Sequence, residues 1–340
     1  MHRSVLLLAL AIACAPRRAS SDLLTLHADT LLQAGNDRVS RPLDLVVGSQ
    51  GELFLADMGT HTVTVLGPDG SLLRTIGREG SGPGEILIPR SLAVTADTLR
   101  LVDAGNSRIV VFDTAGRFVR TLTGLPALNV AGVAFSASGG GLLARHGVDS
   151  SLARHFAPDG SLGSGVGVLR VTPAYQFDFA AIKADLAAER VPQGLRNHSY
   201  PVLGPQGDAW ILLLVDGAVQ HLSALDSLLW DVTLPDTVIG PLRQAIYARA
   251  RADSSPNRFP FPTLFVMARP VRNDLWLLLK EPDGQPARIG VLDSHGRWAR
   301  WIRIIGATDI SAFDVDPATN TVYLLDGSEG TLLRARVPGY

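Results

Sequence analysis

Hydrophobic and polar positions recur along this chain in a repeated phrase. One copy runs Leu45-Val46-Val47, Leu53-Phe54-Leu55-Ala56-Asp57, Val63-Thr64-Val65-Leu66 and Leu72-Leu73-Arg74-Thr75-Ile76, with Gly51, Gly59 and Pro68-Asp69-Gly70 between the runs. The next runs Leu92-Ala93-Val94, Leu99-Arg100-Leu101-Val102-Asp103, Ile109-Val110-Val111-Phe112 and Phe118-Val119-Arg120-Thr121-Leu122. Short apolar or alternating runs predict strands with one face toward a neighbouring layer. The Gly, Asn, Asp and Pro residues between them predict hairpin turns, because they tolerate or pre-form the required backbone. Asp57 and Asp103 stand 46 residues apart. That spacing is the period of a four-stranded propeller blade.

Six copies can be counted, starting near Arg41, Pro89, Asn129, His198, Phe261 and Thr308. The last copy offers only three runs before Tyr340: Phe313-Asp314-Val315, Val322 to Asp326, and Leu332 to Ala335. The missing strand is expected from the other end of the chain, from Leu23–His27 or Thr30–Leu32. Such a strand closes the ring and removes an open sheet edge. The expected fold is therefore all-β: a six-bladed β-propeller of four-stranded antiparallel blades, closed by the N-terminal strand. Two Ala-rich or Pro-led stretches break the phrase, Phe179 to Arg190 and Pro241 to Arg251. They predict short helical inserts at about 175–196 and 237–257, with Pro241 near a helix start. Both precede the first strand of a blade, so both belong on one face of the disc.

At the turn after the second strand, Asp57 and Asp103 are expected to accept backbone hydrogen bonds, with Arg108 pairing to Asp103. Arg145 and Leu214 replace that Asp in the third and fourth copies, so those turns must be built differently. With its Asp57-x-Gly59 and Asp103-Ala104-Gly105-Asn106-x-Arg108-Ile109 turns, the chain resembles the NHL-repeat six-bladed propellers, best over about residues 42–126. The Gly80-Ser81-Gly82-Pro83-Gly84-Glu85 stretch is similar to that family's Gly-rich links, and is expected as a flexible inter-blade turn. The resemblance brings two kinds of enzyme into view: NHL-like lyases acting on peptide ends, and lactonase-type propellers holding a divalent metal.

The N-terminus begins Met1-His2-Arg3, continues with an apolar core from Val5 to Ala13, and reaches Cys14. One positive residue, a short apolar stretch and small residues at the cut predict a secretory signal over 1–13. Ala11-Ile12-Ala13-Cys14 resembles a bacterial lipobox, with Ala11 where the consensus prefers Leu. Cys14 is the chain's single cysteine. A lone cysteine at the cut bond is what lipid attachment needs, and it leaves none for a disulfide. Residues 14–22 are then a tether and 23–340 one propeller domain. Ala15 carries no inner-membrane retention signal, and the resemblance implies an exported lipoprotein on the outer membrane of a Gram-negative bacterium.

Composition removes other classes. Thirty-one Lys and Arg face 32 Asp and Glu, for a net charge of −1. There is no basic stripe, so nucleic acid is not an expected partner. No later apolar run is long enough to span a bilayer, so membrane contact is expected through the lipid alone.

Chemistry leaves few marks. None of the histidines forms a His-x-Glu-x-His or His-Glu-x-x-His run, and there is no Gly-x-Ser-x-Gly. Asp314 and Asp316 share one face of a strand, and Asp316 to Asn320 reads as a hairpin turn. Residues near the start of each innermost strand are expected to line the channel: Arg90, Asn129, His198, Tyr200, Thr263 and Ser311. They are mixed polar groups without a metal-site signature, so no cofactor is expected and no catalytic residue is assigned. The reading is a binding or scaffolding module for an envelope protein or small ligand. The alternative is a metal-dependent hydrolase or lyase working at the axis. A sugar-binding sensor finds little support in five Trp and five Tyr.

Overall fold

The short apolar runs fold as strands stacked between layers on both sides: every residue of Leu53–Asp57, Thr62–Leu66, Ala209–Leu213 and Ala218–Leu222 is buried, while the turns stay outside. The computed structural model describes residues 23–95, 97–123, 133–135, 142–145, 150–157, 159, 161–171, 178–255 and 259–339. Cys14 and Asn129 lie outside them.

The chain enters with β1 (Leu23–His27) and β2 (Asp29–Leu32). Blade 1 follows with β3 (Pro42–Val47), β4 (Leu53–Asp57), β5 (Thr62–Leu66) and β6 (Leu72–Ile76). Blade 2 has β7 (Pro89–Val94), β8 (Thr98–Asp103), β9 (Arg108–Asp113) and β10 (Phe118–Leu122). Blade 3 has β11 (Val133–Phe135), β12 (Leu142–Ala144), β13 (Ala153–Phe156) and β14 (Leu162–Val166). Helix α1 (Phe179–Ala187) leads to blade 4, with β15 (Ser199–Leu203), β16 (Ala209–Leu213), β17 (Ala218–Leu222) and β18 (Leu228–Thr233). Helix α2 (Asp236–Ala252) leads to blade 5, with β19 (Phe265–Val271), β20 (Asp274–Leu279), β21 (Pro286–Leu292) and β22 (Trp298–Thr308). Blade 6 has β23 (Ala312–Asp316), β24 (Thr321–Asp326) and β25 (Thr331–Arg336).

Each blade is an antiparallel meander, and its first strand lies innermost. The innermost strands adjoin in the order β3, β7, β11, β15, β19, β23 and back to β3, which closes the ring. β2 supplies the outer strand of blade 6, with Thr30 opposite Leu333. β1 does something the sequence did not announce. It runs parallel to β22, with Leu23 opposite Trp301, and makes blade 5 five-stranded. The two N-terminal strands thus bridge the outer edges of two adjacent blades.

The apolar core is divided among the blade interfaces. Val46, Phe54 and Val63 of blade 1 pack with Leu92, Leu101 and Val110 of blade 2. Trp210 and Leu212 of blade 4 pack with Phe265, Leu275 and Leu277 of blade 5. The turn aspartates tie these blades to their connections. Asp57 accepts the N–H groups of Ser40 and Arg41 at 2.8 Å and of Gly59 at 2.9 Å. Asp103 accepts Leu87 and Ile88 N–H and holds Arg108 Nε at 3.1 Å. Where Leu214 stands instead, its N–H bonds the His198 carbonyl.

Two expectations change. The Gly80–Glu85 link is clamped: Arg108 donates to the carbonyls of Ser81, Gly82 and Glu85, and Glu85 accepts Gly82 N–H at 2.7 Å. Arg108 is a buried cation whose remaining donors need acceptors, and this link provides them. Helix α2 begins at Asp236, so Pro241 lies inside it rather than at its start. Proline forgoes one backbone bond there, and Val238, Ile239 and Leu242 offset the loss by burying their side chains.

Candidate functional site

Four polar side chains meet on the propeller axis, each from an innermost strand: Asp44 on β3, Tyr200 on β15, Arg269 on β19 and Asp314 on β23. Blades 1 and 5 are not neighbours, so the Arg269–Asp44 contact crosses the centre of the ring. Arg269 Nη2 donates to Asp44 Oδ1 at 2.7 Å and to the Leu45 carbonyl at 2.9 Å. Its Nε donates to the Phe313 carbonyl at 3.2 Å and lies 3.9 Å from Asp314 Oδ1. Asp44 also accepts Leu92 N–H at 2.8 Å, and Asp314 accepts Val47 N–H at 2.8 Å. One buried cluster therefore stitches blades 5, 6, 1 and 2 together.

Its electrostatics follow from burial and pairing. Burial works against the Arg269 charge, but Asp44 and then Asp314 outweigh it and hold the guanidinium protonated. Burial pushes the Asp314 carboxyl up, against the lowering effect of Arg269 and of two backbone N–H groups. The Tyr200 phenol is raised by burial. Geometry makes Asp44–Arg269 the ion pair, and Asp314 the second carboxylate against one cation.

A metal at this axis would need carboxylate lone pairs free to converge. Here the guanidinium lies against both carboxylates, and backbone N–H groups take further lone pairs. As arranged, these residues do not fit a metal. Among the described residues no group of three or more His, Cys, Asp or Glu side chains is placed to hold one.

The second assembly sits on the face that carries the blade-to-blade connections. Asp178 caps α1 by accepting Ala181 N–H at 3.0 Å. Ile182 and Leu186 of α1 pack with Tyr247 of α2 and with Leu195 and Val215, so both inserts rest on each other and on blade 4. A groove of about 430 Å³ remains beside them, lined by Asp185, Arg190, Val191, Gln193, Arg196, Asp216 and Arg243. Asp216 is its hub, with Arg196 Nε at 2.8 Å and Arg170 Nε at 3.1 Å.

Of the six residues expected to line the channel, the five within the described residues are dispersed. Tyr200 reaches the axial cluster. His198 is half-buried on the connection face, its ring 4.5 Å from that of Phe261. Burial first, then the charge of Arg145, pushes its pKa from 6.5 to about 3. Thr263 donates to the Phe265 carbonyl at 2.6 Å, and Ser311 bonds the Leu325 carbonyl and Gly327 N–H. Arg90 is exposed. Asp316 bonds Ala318 N–H and the Thr319 hydroxyl, as a hairpin aspartate should. Sequence reasoning missed Asp44 and Arg269, and gave Asp314 no axial part. The available signal was an ionisable residue inside an apolar innermost strand, as in Leu43-Asp44-Leu45, because a buried charge requires a partner.

Comparison with known proteins agrees with this architecture. A family model described as a 6-bladed beta-propeller matches residues 32–140. The chain is a six-bladed β-propeller. No curated protein matches it. Among solved structures, a putative exported protein from Bacteroides fragilis is 12% identical, with 94% of this chain and 96% of that chain covered and a TM-score of 0.56. The U3-55K structure is 11% identical over 92% of this chain and 98% of that chain, with a TM-score of 0.52. Virginiamycin B lyase from Staphylococcus aureus is 9% identical over 92% and 99%, with a TM-score of 0.50. At such identities the likeness is one of fold.

Proposed function

We propose that this propeller is an exported lipoprotein of the NHL-repeat kind, anchored through Cys14 at the cell envelope, that binds a protein or small ligand on its connection face. The observation that carries the binding reading is the pair α1 and α2. They are the two stretches that break the repeat, they are adjacent in space, and they leave a charged groove on one face. Inserts on a regular scaffold are where binding surfaces are built. The signal-like start and the single cysteine at its end support the anchor.

Two measurements test this. Cys14→Ala is expected to move the protein from the membrane fraction to the soluble fraction, with loss of incorporated lipid; the outer membrane is identified by density fractionation. Photo-crosslinkers on the connection face, at Gln193 and Gln244, are expected to capture an envelope component that one at Asp69, in a third-to-fourth-strand hairpin, does not. Equal capture from both places refutes the assignment of the face.

The alternative, a hydrolase or lyase at the axis, draws on the convergence of Asp44, Asp314 and Tyr200. Arg269 between the carboxylates favours a structural role for them. Elemental analysis of protein purified without chelator tests this: one tightly held metal per chain would restore the enzyme reading.

A further inference from the structure

We infer that the groove beside α1 and α2 is a site for an oxyanion, a carboxylate or phosphate group, held by Arg243. This deepens the reading of the connection face as a binding surface and rests on it. Among the described residues the charges along the groove are partnered one by one, with a single exception. Arg196 and Arg170 both reach Asp216, and Arg170 continues to Asp231 at 2.6 Å. Arg190 lies on Asp185, with Nε and Nη2 at 3.0 and 2.8 Å from one oxygen. Glu189, nearby on the same insert, is taken by Arg251 and Gln244.

Among the described residues no carboxylate pairs with Arg243. Its hydrogen bond there runs from Nη2 to the Asp216 carbonyl at 3.1 Å; its Nε is buried without a partner and closed to a ligand, so the Nη side is the one that faces the groove. An unbonded buried donor is unfavourable, and a guanidinium without a counter-charge more so. The planar fork of an arginine suits two oxygens of one anion. The groove has the volume of a small-molecule site, and Val191 gives it an apolar wall. Asp216 does not supply the missing charge, because its carboxylate faces Arg196 and Arg170 while only its carbonyl faces Arg243.

The test is calorimetric titration of the full-length purified protein with inorganic phosphate and, separately, with benzoate at low salt. The two arms distinguish a phosphate from a carboxylate on an apolar body. One probe is expected to saturate at one per chain, and raising salt to about 0.5 M should weaken it. Arg243→Gln should lower affinity at least tenfold, Arg243→Lys should fall between, and Arg297→Gln, whose guanidinium belongs to Asp293 on a different hairpin, should change nothing. The thermal midpoint without ligand confirms that each variant is folded. Failure of both probes to saturate the wild type, or equal binding by Arg243→Gln, overturns the inference. If crosslinkers on this face still capture an envelope component, the binding surface stands and only the anion fails. Anion binding without such capture has the opposite meaning.

Discussion

Arg269 and Asp44 carry out across the ring what a disulfide does in smaller domains: they join parts of the chain that are 225 residues apart. Breaking a buried pair leaves the other charge stranded. Asp44→Asn is expected to lower unfolding stability by about 3 kcal/mol, since it removes the counter-charge and turns an acceptor away from Leu92 N–H; the guanidinium chloride midpoint reads it. His198 gives a prediction in pH. Folded, it takes a proton only near pH 3, whereas the unfolded chain takes it near 6.5. The unfolded state therefore binds more protons through that interval, so stability falls as pH falls through it. His198→Gln should flatten the decline above about pH 4.5, where most carboxylates are still ionised. Thermal midpoints that fall in parallel for both proteins would refute this. Asp314 has the opposite sign: its raised carboxyl favours the fold most at low pH, and that contribution wanes as pH rises through the folded value.

At the scale of the element, the turn aspartates are joints between a blade and the connection that enters it. Asp57→Ala strands three N–H groups, those of Ser40, Arg41 and Gly59. The expected loss is about 3 kcal/mol by denaturant unfolding. Asp69→Ala, at an exposed hairpin where the carboxylate accepts from Ser71, should lose much less. If the two variants lose the same amount, Asp57 serves only its own turn. The aspartate turns were legible because Asp, Gly and Asn announce their backbone chemistry. The strength of the Asp103–Arg108 joint was not, because Arg108 is completed by carbonyls of the Gly-rich link, 23 to 27 residues earlier in sequence. Helix α2 extended past its sequence signal for a similar reason. Proline marks helix starts well, yet burial of Val238 and Ile239 recruits the turn before it.

For the whole molecule, residues 23–32 complete the outer edges of blades 5 and 6. Removing residues before Gln33 takes away β1 and β2 and exposes the edges of β22 and β25. Open edges invite pairing with another copy. The truncated protein is expected to melt earlier and over a broader range than the full chain and to associate with concentration, read by circular dichroism and size-exclusion chromatography. A monomer that melts like the parent would mean that the ring is held without its N-terminal strands.

The sequence by itself determined the blade: period, strand positions, turn chemistry, the number of copies, and the two places where the repeat gives way. All of these are local, written in alternation at period two and in residues with strong backbone preferences. Tertiary structure alone decided what meets at the centre and on the connection face. Asp44, Tyr200, Arg269 and Asp314 are scattered through the chain as single polar letters, and only ring closure brings them together. Arg243 and Asp216 are likewise joined only because α2 folds back over blade 4. Contacts of that separation depend on the summed geometry of six blades, which no local pattern records.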